Sequence, residues 1–170
     1  LTVQDAVNNL PAKGGKIYIK HGTFPISAAI ILPDKNIIFE GCGWGTILDM
    51  GSNAITMFQA PNGLTKSRMY TFKNMTVLGT DGVVQTFFAS LDTNGRASVT
   101  VLDCRLGGDA TATAIKKIFD YQAYDTTFTN IARVHVERCI INAPSAVGAT
   151  LIKTPNPAGT FGGLVSFTAI

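Results

Sequence analysis

A strand pattern that recurs along the chain with one period constrains its fold more than any other feature. Four segments overlay on one another: Asn36 to Cys42, Met69 to Met75, Ser98 to Cys104 and Arg133 to Cys139. Each alternates apolar and polar residues, passes through one or two polar or small residues, and ends in Cys or Met. With Phe39, Phe72, Val101 and Val136 taken as equivalent, the spacings are 33, 29 and 35. A second set interleaves with the first. Its landmarks Phe58, Phe88, Phe119 and Ile152 have spacings of 30, 31 and 33. Two strand families therefore share one period of about 31, and a further step from Val136 lands on Phe167.

A strand-based repeat of this length predicts stacked coils, because one coil cannot bury its apolar face alone. Each coil advances about 4.8 Å, the spacing of hydrogen-bonded strands. Equivalent residues then form ladders. Phe39, Phe72, Val101 and Val136 form one inside the stack, and Cys42, Met75, Cys104 and Cys139 form another at a corner. On this reading the three cysteines are small core hydrophobes carrying free thiols. Cys104 and Cys139, on neighbouring coils, lie near enough for a strained disulfide. Asn74 and Asp103 occupy a turn slot that Gly41 and Arg138 fill in the other coils, which makes Asp103–Arg138 an ion pair across one coil step. About four coils fit.

The rest of the chain agrees with an all-β body. Lys16 to Lys20 alternates with period two, and short apolar runs follow between Gly22, Pro33-Asp34 and Asn36. Residues 1–11 read as a short helix that caps the stack. Thr2 is its cap, Asp5 lies in its first turn, Val3, Ala6, Val7 and Leu10 are spaced for one face, and Pro11 and Gly14-Gly15 end it.

The opening segment resembles the pectate-lyase superfamily of β-helix domains, common in phage tailspikes and polysaccharide-degrading enzymes. The matching residues are the helix with Val3-Gln4-Asp5-Ala6-Val7, then Gly14-Gly15-x-Ile17-x-Ile19-x-x-Gly22-x-Phe24-x-Ile26. Leu32-Pro33 and Gly41-Cys42-Gly43-Trp44-Gly45-Thr46-Ile47-Leu48 follow, the last similar to the family turn G-x-G-x-x-T-x-L. The motifs cover about the first third of the chain, and the repeat covers the rest. The resemblance implies a single-stranded, right-handed parallel β-helix over residues 1–170 with three sheets per coil. It implies no particular reaction, since lyases, hydrolases, epimerases, adhesins and inert virion parts share the fold.

The composition excludes several classes. Of 170 residues 46% are hydrophobic and 15% charged, with a net charge of +3. Such a chain has a core to bury and is not disordered. The basic residues are scattered with no aromatic-interleaved stripe, so nucleic acid is not an expected partner. No apolar run is long enough for a membrane helix, and the opening LTVQDAVNNL lacks the charged and apolar regions of a signal peptide. Cysteine spacing fits no zinc site, and no metal or cofactor is expected.

Catalysis on a β-helix needs a base beside a metal-held uronate, or paired carboxylates. The lyase signature with a Trp-Ile-Asp-His core is missing, as is the polygalacturonase set of paired Asp, Gly-His-Gly and Arg-x-Lys. Asp103, Asp120 and Glu137 remain as candidate acids, and they serve catalysis only if they meet on one face. His135 reads as a surface residue. Tyr121, Tyr124 and Phe128 offer either a sugar-stacking surface or turn packing. Gly43-Trp44-Gly45 lacks the Lys-Ser/Thr of a phosphate loop.

The strand-like Leu164 to Ile170 carries no polar cap, and an open last coil invites pairing. The expected function is therefore a structural or receptor-binding module of a phage virion: tailspike, fibre or decoration-like. It is expected to be homo-oligomeric, to contact other virion subunits, and to reside in the virion or outside the cell. A polysaccharide lyase or glycoside hydrolase, and a non-catalytic carbohydrate-binding module, are the alternatives.

Overall fold

The computed structural model describes residues 2–92, 96–108, 114–121, 133–142, 150–153 and 164–168. Among these residues it is all-β apart from one helix, α1 (Val3–Asn8). The first coil holds β1 (Gly15–Ile19), β2 (Gly22–Pro25) and β3 (Ile30–Ile31). The second holds β4 (Ile37–Gly41), β5 (Thr46–Asp49) and β6 (Thr56–Ala60), and the third β7 (Arg68–Lys73), β8 (Thr76–Leu78) and β9 (Thr86–Ser90). The fourth comprises β10 (Ala97–Leu102), β11 (Arg105–Leu106) and β12 (Lys117–Tyr121). The fifth comprises β13 (Arg133–Glu137), β14 (Ile140–Ile141) and β15 (Thr150–Lys153), and β16 (Leu164–Thr168) follows.

Every third strand pairs, always in parallel. The first sheet runs β1-β4-β7-β10-β13-β16, the second β2-β5-β8-β11-β14, and the third β3-β6-β9-β12-β15. This is the arrangement of a parallel β-helix or solenoid. Both ladders read from the repeat are present. Phe39, Phe72, Val101, Val136 and Phe167 are successive partners in the first sheet. Phe58, Phe88, Phe119 and Ile152 are partners in the third.

Two expectations need correction. Among the described residues the stack has five coils and a sixth strand in the first sheet, not about four. Ile17 pairs with Phe39, a step shorter than any that follows, so the first coil has short loops and lies off the common period. The corner ladder also omits Cys42, which is exposed. Register explains this: Glu40 pairs with Lys73, and Ile47 with Thr76. Continued to the bend from either side, the pairing sets Gly41 beside Asn74 and Thr46 beside Met75. Residues 42–45 are thus an insertion, and Thr46 takes the inward corner position. Its hydroxyl makes burial tolerable by donating toward Ile19 and Lys20 carbonyls (3.3 and 3.1 Å) and accepting from Cys42 N (2.8 Å).

The interior is aromatic where the first and third sheets face each other. Phe72 stacks on Phe39 at 5.2 Å, meets Phe58 at 4.5 Å, and meets Phe87 edge-on at 5.0 Å. All four are fully buried. Offset and edge-on geometries suit the ring quadrupole.

Helix α1 lies against β3. Its capping box is complete: Asp5 N donates to Thr2 Oγ1 (3.1 Å), and Thr2 N to Asp5 Oδ2 (2.8 Å). Val7 is buried, and Val3, Ala6 and Leu10 pack on the core. Gln4 forms a fork on the open edge of β3. Ile31 N donates to its Oε1 at 2.7 Å, and its Nε2 donates to Ile31 O at 3.2 Å. A side-chain amide thereby fills the place of a neighbouring strand's peptide group.

Candidate functional site

The corner between the first and second sheets carries most of the surface chemistry. In three successive coils it is turned by a residue in the left-handed region: Asn74 (φ 55°), Asp103 (φ 53°) and Arg138 (φ 50°). The next residue, Met75, Cys104 or Cys139, turns toward the core. Hydrogen bonds continue the ladder through the bend. Asn74 N donates to Leu102 O (3.2 Å), and Asp103 N to Glu137 O (3.1 Å). All three cysteines are free. The Cys104 thiol is pushed up by its hydrogen-bonding contact with Cys139 and by burial.

Arg138 gathers the acids at this corner. Its Nε and Nη2 bind Asp103 Oδ1 and Oδ2 at 2.6 and 2.8 Å, and its Nη1 binds Glu137 Oε1. Glu137 Oε2 lies 3.2 Å from His135 Nε2. The expected Asp103–Arg138 pair is therefore bidentate, the stronger form of a guanidinium–carboxylate contact. The Arg138 guanidinium holds the Asp103 carboxyl below its ordinary range, so Asp103 carries no proton to donate near neutrality.

Asp120 is elsewhere. It sits in β12 of the third sheet, in register with Ala89 and Lys153, and is 4% exposed. Lys117 Nζ reaches its Oδ2 at 3.1 Å, and its Oδ1 has no hydrogen-bond partner among the described residues. The fold thus brings Asp103 and Glu137 together through one arginine and keeps Asp120 on another sheet. Among the described residues no group of three or more His, Cys, Asp and Glu is placed to hold a metal.

The aromatic candidates divide similarly. Tyr121 is 2% exposed and its hydroxyl donates to Ala97 O at 3.1 Å, so it is a core residue. Tyr124 and Phe128 lie outside the described residues. Among the described residues the large exposed aromatics are Trp44 and Tyr18. In the sequence Trp44 reads as part of the family turn, with a phosphate loop rejected there, and nothing marks it as a surface ring.

Trp44 stands in the insertion 42–45 and is 51% exposed. Its Nε1 donates to Asp103 O at 3.3 Å, two coils further on. The Arg105 guanidinium carbon lies 5.4 Å from its ring centroid, a cation–π contact. Thr76 Oγ1 donates to Trp44 O at 2.8 Å. Glycines make this placement possible. Gly43 has φ +93°, and a Cβ on Gly45 would come within 2.3 Å of His21 Nε2. Tyr18 is 60% exposed with its hydroxyl 2.9 Å from Cys42 Sγ, in the same insertion. Its partner in register is Glu40, the centre of a charged row, Lys16–Glu40–Lys73, that crosses the first sheet with contacts of 2.8 and 3.3 Å.

A pocket of about 280 Å³ lies under α1, lined by Gln4, Val7, Asn8, Leu32 and neighbours. Its one ionisable group, Lys35, is held by Leu10 O at 2.9 Å, which leaves no acid–base pair there. No family model matches the chain, and neither the curated proteins nor the solved structures compared with it give a match.

Proposed function

We propose that this chain is a non-catalytic, structural or receptor-binding module built on a right-handed β-helix of the pectate-lyase-like type, as in phage tailspikes and other virion parts. The disposition of the acids carries the reading. Asp103 and Glu137 are both engaged by Arg138, and Asp120 is buried on a different sheet. Acid–base chemistry across a sugar bond uses two free carboxyls about 5 to 9.5 Å apart, and none of these three acids is a free, exposed carboxyl. The right hand follows from the strong preference of parallel crossover connections. The virion setting and the extracellular location rest on the resemblance carried by the motifs between Thr2 and Leu48. Homo-oligomeric assembly with other virion subunits rests on the open edge of β16, the outermost strand of the first sheet among the described residues.

The test is turnover together with assembly state. Incubated with polygalacturonate and with neutral polysaccharides, the purified chain should release no unsaturated uronate and no reducing ends above blank. Sedimentation should show an oligomer. Turnover abolished by Asp103→Asn or Glu137→Gln would overturn the non-catalytic reading in favour of a lyase or hydrolase. A monomer at all concentrations would remove the assembly.

A further inference from the structure

The second coil turns its corner differently from the three coils that follow. Those bend through a left-handed residue and an inward one, with nothing between. The second coil inserts residues 42–45, and the one large side chain of that insertion is the only tryptophan in the chain. The fold closes the same corner three times without such a loop, so the loop is not required to turn it. The core does not need the ring either, since half of it faces solvent.

The ring is nevertheless fixed. It reaches from the second coil to the fourth, hydrogen-bonded at Asp103 O and covered by Arg105. Large aromatic surface held rigid in water is the usual form of a binding platform, because little entropy remains to be lost when a ligand lands.

We propose that the Trp44 corner is a glycan-binding platform. This deepens the receptor-binding reading above and rests on it. A pyranose presents an apolar C–H face rimmed by hydroxyls, and the corner presents the complement. The exposed indole supplies the apolar body, while Arg105 over the ring and Asp103 at its Nε1 edge supply polar groups beside it. Tyr18, beyond the loop, offers a second ring to a neighbouring sugar.

The surroundings argue against other occupants. A protein interface needs a contiguous apolar centre within roughly 800 Å² per partner, whereas Trp44 stands among charged side chains. Nucleic acid needs a strong surplus of positive charge, but here Lys16, Lys73, Arg105 and Arg138 stand against Glu40, Asp103 and Glu137, which nearly cancel them.

Because Trp44 is the only tryptophan, its emission reports the platform directly. Titration with maltohexaose, cellohexaose, chitohexaose and oligogalacturonate should give a saturable change for at least one. Retardation in gels carrying the matching polysaccharide should weaken about tenfold in Trp44→Ala, less in Trp44→Phe, and measurably in Tyr18→Ala. Thermal melts of Tyr18→Ala should match the wild type, and Trp44→Ala, which loses the contacts with Asp103 and Arg105, should still melt cooperatively, so that lost binding is read on folded protein. No emission change with any of the four sugars, or wild-type retardation of Trp44→Ala, would overturn the proposal. So would a change in sedimentation of Trp44→Ala without sugar, which would place the ring in a protein interface. The two readings fail separately. Hydrolysis of a bound sugar sinks the non-catalytic reading and leaves the platform, whereas absent binding sinks the platform and leaves a structural module.

Discussion

Left-handed backbone at Asn74, Asp103 and Arg138 sets a sharp demand on three side chains. Asn and Asp tolerate the region because their short side chains satisfy nearby backbone groups. Arginine has no such device, and Arg138 is held instead by the carboxylate of Asp103 in the previous coil. Asn74→Val should therefore cost about 1–3 kcal/mol in chemical denaturation, while Asn74→Gly should stay close to wild type. Asp34 makes a second residue-scale case. Arg68 Nε lies 2.5 Å from Asp34 Oδ1, and Thr65 donates to Oδ2 through both its amide and its hydroxyl. The Arg68 hydrogen bond, with help from Thr65, holds the Asp34 carboxyl down to about 2, against an ordinary 3.8. A depressed carboxyl contributes stability that is full above its unfolded pKa and is lost as pH falls through its folded one. The gap in melting temperature between wild type and Asp34→Asn should be widest above about pH 4 and close as pH falls toward about 2.

The strands are short, several of only two residues, and no single one is stable alone. What joins them is the ladder. Phe72 touches aromatic rings from its own sheet and from the third, so it couples the second coil to the third and one sheet to another. Phe72→Ala removes a fully buried ring at this junction and should cost about 3–5 kcal/mol, read as a lower midpoint in urea with an unchanged slope. Phe72→Leu should cost less, because it retains most of the volume. If Phe72→Ala cost under about 1 kcal/mol, the ladder would not be the element that binds coil to coil.

At the scale of the molecule, the repeat determines which residues stack, and the pairing Phe39, Phe72, Val101, Val136 was legible for a physical reason. An inward position of a solenoid has the same surroundings in each coil and accepts the same residue class. The departures were illegible for the complementary reason. Cys42 matches the corner class by type, so the repeat does not reveal the insertion that moves it out, although the Gly41–Leu48 turn motif spans it, and Thr46, which replaces it, reads only as part of that turn. Tryptophan by type suggests burial, so nothing in the letters indicated that Trp44 faces solvent. Asp103–Arg138 was visible as a shared slot one coil apart. Glu137 joining the same guanidinium depends on a side-chain path that no spacing encodes, as does the burial of Asp120. The Gln4 fork has a consequence at this same scale. Parallel in-register strands form a growth front, much as the end of a fibril does, and an uncovered edge recruits any extended segment that meets it. At Ile31 the acceptor and the donor that a recruit would use are already taken by one amide. In the language of crystal growth Gln4 is a poison: it occupies the lattice site at the tip of the third sheet and offers no new one, so accretion there must begin by evicting it.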